Sequence, residues 1–365
     1  MTRAGALGEV AIRELLARAR SIGASDLHLT PDRPAFARVD GALRPLDDQP
    51  LGASEIARIA DSLLDPIASA SLQRHGHADR AVRDPAFGPL RLHAFRAGGQ
   101  LHLAIRLLAQ TVPSLESLHL PAILPTLAGR TSGLLLIVGP TGSGKTTTLA
   151  ALVDGINRAA SRHIVTIEDP VEYRHPPIRS LIAHREVGPD AATHSDALRS
   201  SLRADPDVIV IGELRHPETI ATALVAAETG RLVVTTLHAA SAAQAVDRIV
   251  DAFGPAAQAE IRAQLAQTLV GIVAQRLVRL VAGGRRAAAE VLVATDGVRA
   301  LIRERKTHQL RNAIATGREA GMQTLEAHLS ELVVRRVVTV AAARECTDRP
   351  DEVRSIAGAA PAQQR

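Results

Sequence analysis

Eight consecutive residues, Gly139-Pro140-Thr141-Gly142-Ser143-Gly144-Lys145-Thr146, fit the spacing G-x-x-x-x-G-K-[ST]. The chemistry of that spacing is phosphate binding. The glycines let the backbone curl around a phosphate chain without Cβ clashes. The N–H groups of such a loop, and of the helix N-terminus that follows, present partial positive charge to the phosphates. Lys145 is placed to reach the β- and γ-phosphates, the Thr146 hydroxyl to hold Mg²⁺, and Thr147 to extend the loop's polar rim. Further along, Glu168-Asp169-Pro170-Val171-Glu172 sets three carboxylates within five residues, where they can polarise water or position the metal. Val208-Ile209-Val210-Ile211 runs into Gly212-Glu213, a Walker-B-like acid with Gly where many P-loop enzymes carry Asp. Thr235-Thr236-Leu237 runs into His238, a neutral polar sensor. Phosphoryl transfer to water needs a positioned nucleophile, a metal and charge neutralisation, and the chain offers a candidate for each. Any one of these acids alone reads as a solvated loop residue. Strand ends meeting at one edge read as a site.

The elements that must position these groups follow from hydrophobic pattern. Residues 134–138 are an apolar run of buried-strand length, and 147–159 carry Leu149, Leu152, Val153 and Ile156 at helical spacing. Further strands are expected at 164–167, 208–211 and 232–236, with helices at 195–203 and 217–229 between them. Alternation of this kind predicts an α/β fold with a parallel, doubly wound sheet, whose ligands bind at the carboxyl ends of the strands. Residues 256–280 and 324–338 read as amphipathic helices. Residues 1–108 read as a small α/β domain. It opens with a helix around Val10, Leu15, Leu16 and Ala19, and strands follow at 26–29 and 35–39, the latter entering an Asp40-Gly41 turn. Two more strands flank Ala97-Gly98-Gly99. Residues 109–118 are expected to link this domain to a nucleotide-binding domain at 119–350, with a disordered tail at 351–365.

Composition bounds the remaining readings. A chain of 365 residues is long enough for about two domains of ~150 residues. One cysteine, Cys346, excludes intramolecular disulfides and a Cys-based zinc site and suits a reducing cytosol. His75 and His77 lack a third ligand nearby and read as a surface turn. The early charges Arg3, Glu9, Arg13 and Glu14 leave no apolar signal-peptide core, and no stretch approaches the ~18 apolar residues of a membrane span. The net charge of +5 permits an anionic partner. A nucleic-acid motor would need aromatic stacking platforms along a basic groove. Only Phe36, Phe87, Phe95, Phe253 and Tyr173 are aromatic, so no nucleic acid is expected.

Taken in order, Gly-Pro-Thr-Gly-Ser-Gly-Lys, Glu-Asp-Pro-Val-Glu, Asp205-Pro206-Asp207 with Gly212-Glu213, and Thr-Leu-His resemble the secretion-ATPase superfamily. These are the hexameric motors of type IV pili and type II secretion. The resemblance covers about residues 5–340. Ala24-Ser25-Asp26-Leu27-His28-Leu29 is similar to the start of the family's N-terminal domain. Arg299-Ala300-Leu301-Ile302-Arg303-Glu304 and Gly321-Met322-Gln323-Thr324-Leu325 are most similar to PilT-type retraction ATPases. A single compact N-terminal domain and the lack of a tetracysteine motif fit that branch.

The resemblance implies a RecA-like P-loop domain behind a small PAS-like α/β domain. It further implies ATP and Mg²⁺ as ligands, pilus retraction and twitching as the output, and an accessory pilus ATPase or a related secretion ATPase as the alternative role. The implied partners are five further copies, an inner-membrane pilus platform protein and a paralogous pilus ATPase, with the chain cytoplasmic and peripheral at the inner membrane. By motif, Glu172 is the implied catalytic glutamate, Glu213 the Walker B acid and a Mg²⁺ neighbour, and His238 the group coupling nucleotide state to shape. Arg199 and Arg203, four apart on one helix face, match arginines of the family, and Arg91 and Arg106 are candidates to reach a neighbouring subunit's nucleotide. Two departures stand out. Pro89-Leu90-Arg91-Leu92-His93-Ala94-Phe95 puts proline where the family carries an arginine. The family's C-terminal Ala-Ile-Arg-x-Leu-Leu element is not evident after residue 330, and a similar string at Ala11-Ile12-Arg13-Glu14-Leu15-Leu16 reads as ordinary amphipathic helix.

Overall fold

The computed structural model describes residues 3–39, 41–108 and 111–354. The chain divides into two compact units, Met1–Thr111 and Val112–Arg365. The first comprises α1 (Arg3–Ser21), β1 (Asp26–Leu29), β2 (Phe36–Val39), β3 (Ala42–Pro45), α2 (Ala53–Leu63), α3 (Pro66–His75), β4 (His77–Asp84), β5 (Gly88–Ala97) and β6 (Gln100–Leu107). Its six strands form one antiparallel sheet in the order β3-β2-β1-β6-β5-β4. Strand alternation turns Leu27, Leu90, Leu92, Leu103 and Ile105 inward, and there they meet Leu16, Ile56 and Ile59 of the helices. Gly98 and Gly99 both take positive φ, 57° and 78°, the conformation that a two-residue hairpin turn requires. His75 closes α3 and His77 opens β4, both exposed. Asp40, half of the expected turn, lies outside the described residues.

Residues 111–120 contain no helix or strand. The second unit then runs α4 (Leu124–Ala128), β7 (Gly133–Val138), α5 (Lys145–Ala159), β8 (His163–Glu168), β9 (Leu181–Glu186), α6 (His194–Ser201), β10 (Val208–Ile211), α7 (Pro217–Glu228) and β11 (Leu232–Leu237). It continues with α8 (Ala242–Asp251), α9 (Gln258–Thr268), β12 (Leu269–Arg279), β13 (Arg285–Val293), α10 (Asp296–Arg303), α11 (Leu310–Thr316), α12 (Leu325–Val334) and α13 (Val340–Glu345). The sheet order is β13-β12-β7-β11-β10-β8-β9, parallel throughout except for the antiparallel edge strand β13. This is the doubly wound α/β sheet that the alternation predicts. β7 is buried on both faces: Leu134, Leu136 and Val138 enter one core, and Leu135 and Ile137 the other. A parallel sheet covered by helices on both sides needs such continuous apolar runs.

Several elements depart from the sequence reading. Residues 256–280 are not one helix: α9 ends at Thr268, and β12 follows as a central strand between β7 and β13. Leu269-Val270-Gly271-Ile272-Val273-Ala274 is apolar on every side, and periodicity cannot tell a buried strand from a buried helix turn in such a run. β12 also comes closer to β13 than a side chain at residue 271 would permit. A Cβ on Gly271 would stand 2.8 Å from the Leu292 carbonyl oxygen. The second expected helix, 324–338, stops at Val334, with Arg336 at φ 57° turning the chain. α6 gives way at Ser201 to a 3-10 turn, Leu202–Ala204, which carries Arg203 off the helix. Disorder from residue 351 is corrected for 351–354, because Pro350–Glu352 forms a 3-10 turn and Val353 is buried against α12 and α13. The rest of that tail lies outside the described residues. Among the described residues no helix is long and apolar enough to cross a membrane.

Ile272 is fully buried at the centre of β12. Ile272→Ala should therefore lower the unfolding free energy by about 2–5 kcal/mol, read by denaturant titration of the full chain. A loss under ~0.5 kcal/mol would contradict the placement of β12 in the core.

Candidate functional site

The strands β7, β11, β10 and β8 pair in parallel without a bulge. Val138 lies opposite Leu237, and Ile211 lies opposite both Thr235 and Ile167. Their carboxyl ends therefore emerge at one edge, and each ends in a segment with polar chemistry. The loop after β7 is shaped by Gly139, Gly142 and Gly144 at φ 156°, 77° and 87°. A Cβ on Gly139 would clash with the Gln275 carbonyl and with Ser143 Oγ. Gln275, buried on β12, fixes the loop from behind. Its Nε2 donates to the Ser143 carbonyl at 2.7 Å, and its Oε1 accepts from the Thr148 hydroxyl at 3.0 Å. Ser143 Oγ is buried without a partner. Nothing in the loop's own spacing flags Gln275, which lies 132 residues away from Ser143.

At the start of α5, Lys145 Nζ donates to the carbonyls of Gly139 and Pro140, each at 3.0 Å, and stands 3.4 Å from His238 Nδ1. An ammonium only donates, so His238 Nδ1 accepts, and the ring carries its proton on Nε2. Nε2 lies 3.1 Å from Glu213 Oε1. Glu213 Oε2 takes the Arg215 guanidinium at 2.8 Å. A continuous polar chain thus joins the loop lysine to the acid after β10. Burial lowers the Lys145 pKa, and the Glu213 charge opposes that shift. The paired Glu213 raises the Arg215 pKa. Arg248 holds the His238 carbonyl, and the Thr236 hydroxyl donates to the Gly212 carbonyl at 2.6 Å. Arg215 and Arg248 escape a reading of motifs because neither belongs to one.

Glu168 ends β8 and is buried, while Asp169 and Glu172 lie on the irregular segment that follows. Glu172 is half-buried, and its neighbour Tyr173 places its hydroxyl 3.3 Å from Thr147 Oγ1 on α5. Pro140, Thr141 and Gly142 line the loop's rim, and Thr146 and Thr147 are half-buried on the first turn of α5. Beside them opens a cavity of about 340 Å³, bounded by Leu118, His119, Gly144, Thr147, Leu277 and Arg286. The structure thus brings the loop, Glu213 and His238 together at one edge.

Of the four candidate arginines, Arg91 and Arg106 lie on strands of the first unit, Arg199 on α6 and Arg203 on the 3-10 turn after it. Arg106 pairs with Asp26 at 2.9 Å on the first unit's sheet, and Arg91 sits opposite Arg106 in register. Arg199 meets Glu218 at 3.4 Å, and Arg203 donates to the Arg199 carbonyl at 3.3 Å. Arg106 and Arg199 thus each have a carboxylate partner within their own chain.

Within the acid-bearing segment, the buried His175 ring stacks on the half-buried ring of His184, with centroids 5.7 Å apart. Burial, and then the neighbouring His184, push the His175 pKa down to about 4. His175 Nδ1 has no partner. The ring is therefore held neutral at physiological pH.

Three comparisons bear on this arrangement. A family model described as "Type II/IV secretion system protein" matches residues 9–363. The type IV pilus retractation ATPase PilT of Pseudomonas aeruginosa is 39% identical over 93% of this chain and 99% of its own length. A twitching motility protein of Neisseria gonorrhoeae is 40% identical over 84% of this chain and 82% of its own. A crystal structure of the pilus retraction motor PilT with bound ADP superposes with a TM-score of 0.85 and 38% identity, covering 93% of this chain and 97% of that one.

The buried His175 carries a stability cost with a definite sign. Below pH ~6.5 the unfolded chain takes up a proton at this residue that the folded chain refuses until about pH 4. Stability contributed by the neutral ring is present above pH ~6.5 and is lost as pH falls towards 4, by ~3 kcal/mol in all. His175→Phe keeps the stacked ring and removes the proton, so unfolding free energy measured across pH 7 to 4 should fall less steeply than in the parent. An unchanged slope would contradict the assignment.

Proposed function

The chain belongs to the type II/IV secretion system protein family, and on that premise we propose that it is a motor ATPase that drives type IV pilus retraction. Its fold is the RecA-like P-loop α/β sheet of PilT, preceded along the chain by a small α/β unit. The observation that carries the reading is the hydrogen-bonded chain from Lys145 through His238 to Glu213, at the edge where the phosphate loop also ends.

The loop N–H groups and the α5 N-terminus hold the phosphates of ATP. The Lys145 ammonium neutralises the charge that spreads onto the transferred phosphoryl oxygens. The cavity beside Leu118 and Arg286 offers room for the base and ribose. Among the described residues no group of three or more His, Cys, Asp or Glu can hold a metal alone. Magnesium bound with a nucleotide takes only one or two protein oxygens and completes its shell with phosphates and water. Thr146 and Glu213 would supply those oxygens. Bound there, Mg²⁺ would neutralise phosphate charge.

Glu172 acts as general base on the attacking water, and Tyr173 ties its segment to α5. His238 donates to Glu213 and accepts from Lys145, so movement of the lysine on to phosphate alters the hydrogen bonding of both. Through β10 and β11 that change reaches the sheet, which is how chemistry becomes movement. In the working enzyme the chain is cytoplasmic, assembles as a homohexamer and bears on a pilus platform protein at the inner membrane. Arg91, Arg106, Arg199 and Arg203 are the side chains offered to a neighbouring subunit's nucleotide. Those already paired with a carboxylate would exchange partners there.

Glu172→Gln should bind ATP within about threefold of the parent and hydrolyse it roughly 10²–10⁴-fold more slowly, followed as phosphate release. A strain carrying only this variant should keep surface pili and lose twitching. Normal turnover by Glu172→Gln would remove Glu172 from the mechanism. Loss of surface pili would assign the motor to assembly instead.

A further inference from the structure

Resting on the reading of Glu172 as general base, we infer that His184 and Glu186 on β9 are positioning residues that fix the Glu172 segment beside the first turn of α5. Between β8 and β9 the chain makes no helix or strand for twelve residues, 169–180. Backbone donors in such a stretch must find partners outside regular structure. On either side of Glu172 those partners are two side chains of β9. The Val171 N–H donates to Glu186 Oε2 at 3.1 Å, and the His175 N–H to His184 Nε2 at 3.2 Å. Glu172 lies between these two anchors.

Register makes this possible. β9 runs parallel to β8 with His184 beside Thr166 and Glu186 beside Glu168. Residues two apart share a face, so both acceptors point to the side where the segment passes. The His184 tautomer is set by its partners. An amide N–H can only donate, so Nε2 accepts, and Nδ1 carries the proton towards Thr166 Oγ1, 3.0 Å away. The His175 ring stacks on it and closes the arrangement from above. Beyond the second anchor Asn157 of α5 takes over. It accepts from the Ile178 and Ser180 N–H groups and donates to the Pro176 carbonyl. Asn157 serves only the far end of the segment, whereas the β9 pair brackets the carboxylate itself. Neither His184 nor Glu186 touches the phosphate loop in any contact described above, so their effect on turnover runs through Glu172.

The test is steady-state kinetics and nucleotide titration on the full chain. His184→Ala and Glu186→Ala should each lower kcat by roughly 10- to 10²-fold, the cost of misplacing a reacting group by about an ångström. The Kd for ATP should stay within about threefold. His184→Gln and Glu186→Gln each retain a carbonyl oxygen able to accept the backbone N–H, and should recover most of the parent kcat. Placed on Glu172→Gln, either alanine substitution should change the residual turnover less than about twofold, since all act through one carboxylate. Parent-like kcat in the alanine variants, with Glu172→Gln impaired, overturns the positioning inference. So do losses that multiply in the double variants. Full turnover by Glu172→Gln instead overturns the assignment of the base. Should His184→Ala fail to fold, the Glu186 pair of variants decides the same question.

Discussion

A parallel strand cannot slip by one residue without turning every side chain to the opposite face. The second unit depends on that constraint. β7, β11, β10 and β8 are paired in unbroken register, and their inward residues alternate between two separate apolar cores. Slippage would expose Leu135 and Ile137 or their neighbours to the wrong side, so burial locks the register. Register in turn decides where each strand stops, and the stopping points set the spacing of the glycine loop, Glu168, Glu213 and His238. The chemistry is therefore aligned by hydrophobic packing several residues away from any polar group.

What packing cannot supply at the edge is supplied by polar side chains that hold backbone. Gln275 pins the phosphate loop from β12, and Thr236 pins the Gly212 carbonyl. Arg248 holds the carbonyl of His238. Glu186 and His184 hold the segment that carries Glu172. Gln275 and Thr236 are buried, His184 and Glu186 half-buried and Arg248 exposed, and each satisfies a backbone group outside the ladders and helices, as irregular backbone requires. Apart from Thr236, which belongs to Thr-Leu-His, the groups that hold backbone here (Gln275 on β12, Arg248 on α8, His184 and Glu186 on β9) lie outside the motifs that carry the chemistry.

That division explains how much was legible in the sequence. β7 could be read because five apolar residues lead directly into a glycine-rich loop, so local pattern and motif agree. Glu213 and His238 could be placed because each follows a short β-branched run. β12 was misread as helix because its apolar run has no period to distinguish it. β9, Leu181-Ile182-Ala183-His184-Arg185-Glu186, was not seen because an edge strand bearing three charged or polar residues does not look buried. Contacts such as Gln275 with Ser143 span 132 residues, and no local rule reaches that far. The pairings of Arg106 with Asp26 and of Arg199 with Glu218, 80 and 19 residues apart, lie outside local pattern as well.

The central claim is that the edge built around Lys145 binds the phosphates of ATP and drives their hydrolysis. Isothermal titration of MgATP into the purified full chain and into Lys145→Ala, with phosphate release followed on the same samples, tests it most directly. Removing the ammonium should abolish measurable binding and turnover while the melting transition of the protein persists. ATP affinity and hydrolysis in Lys145→Ala equal to those of the parent would contradict the account.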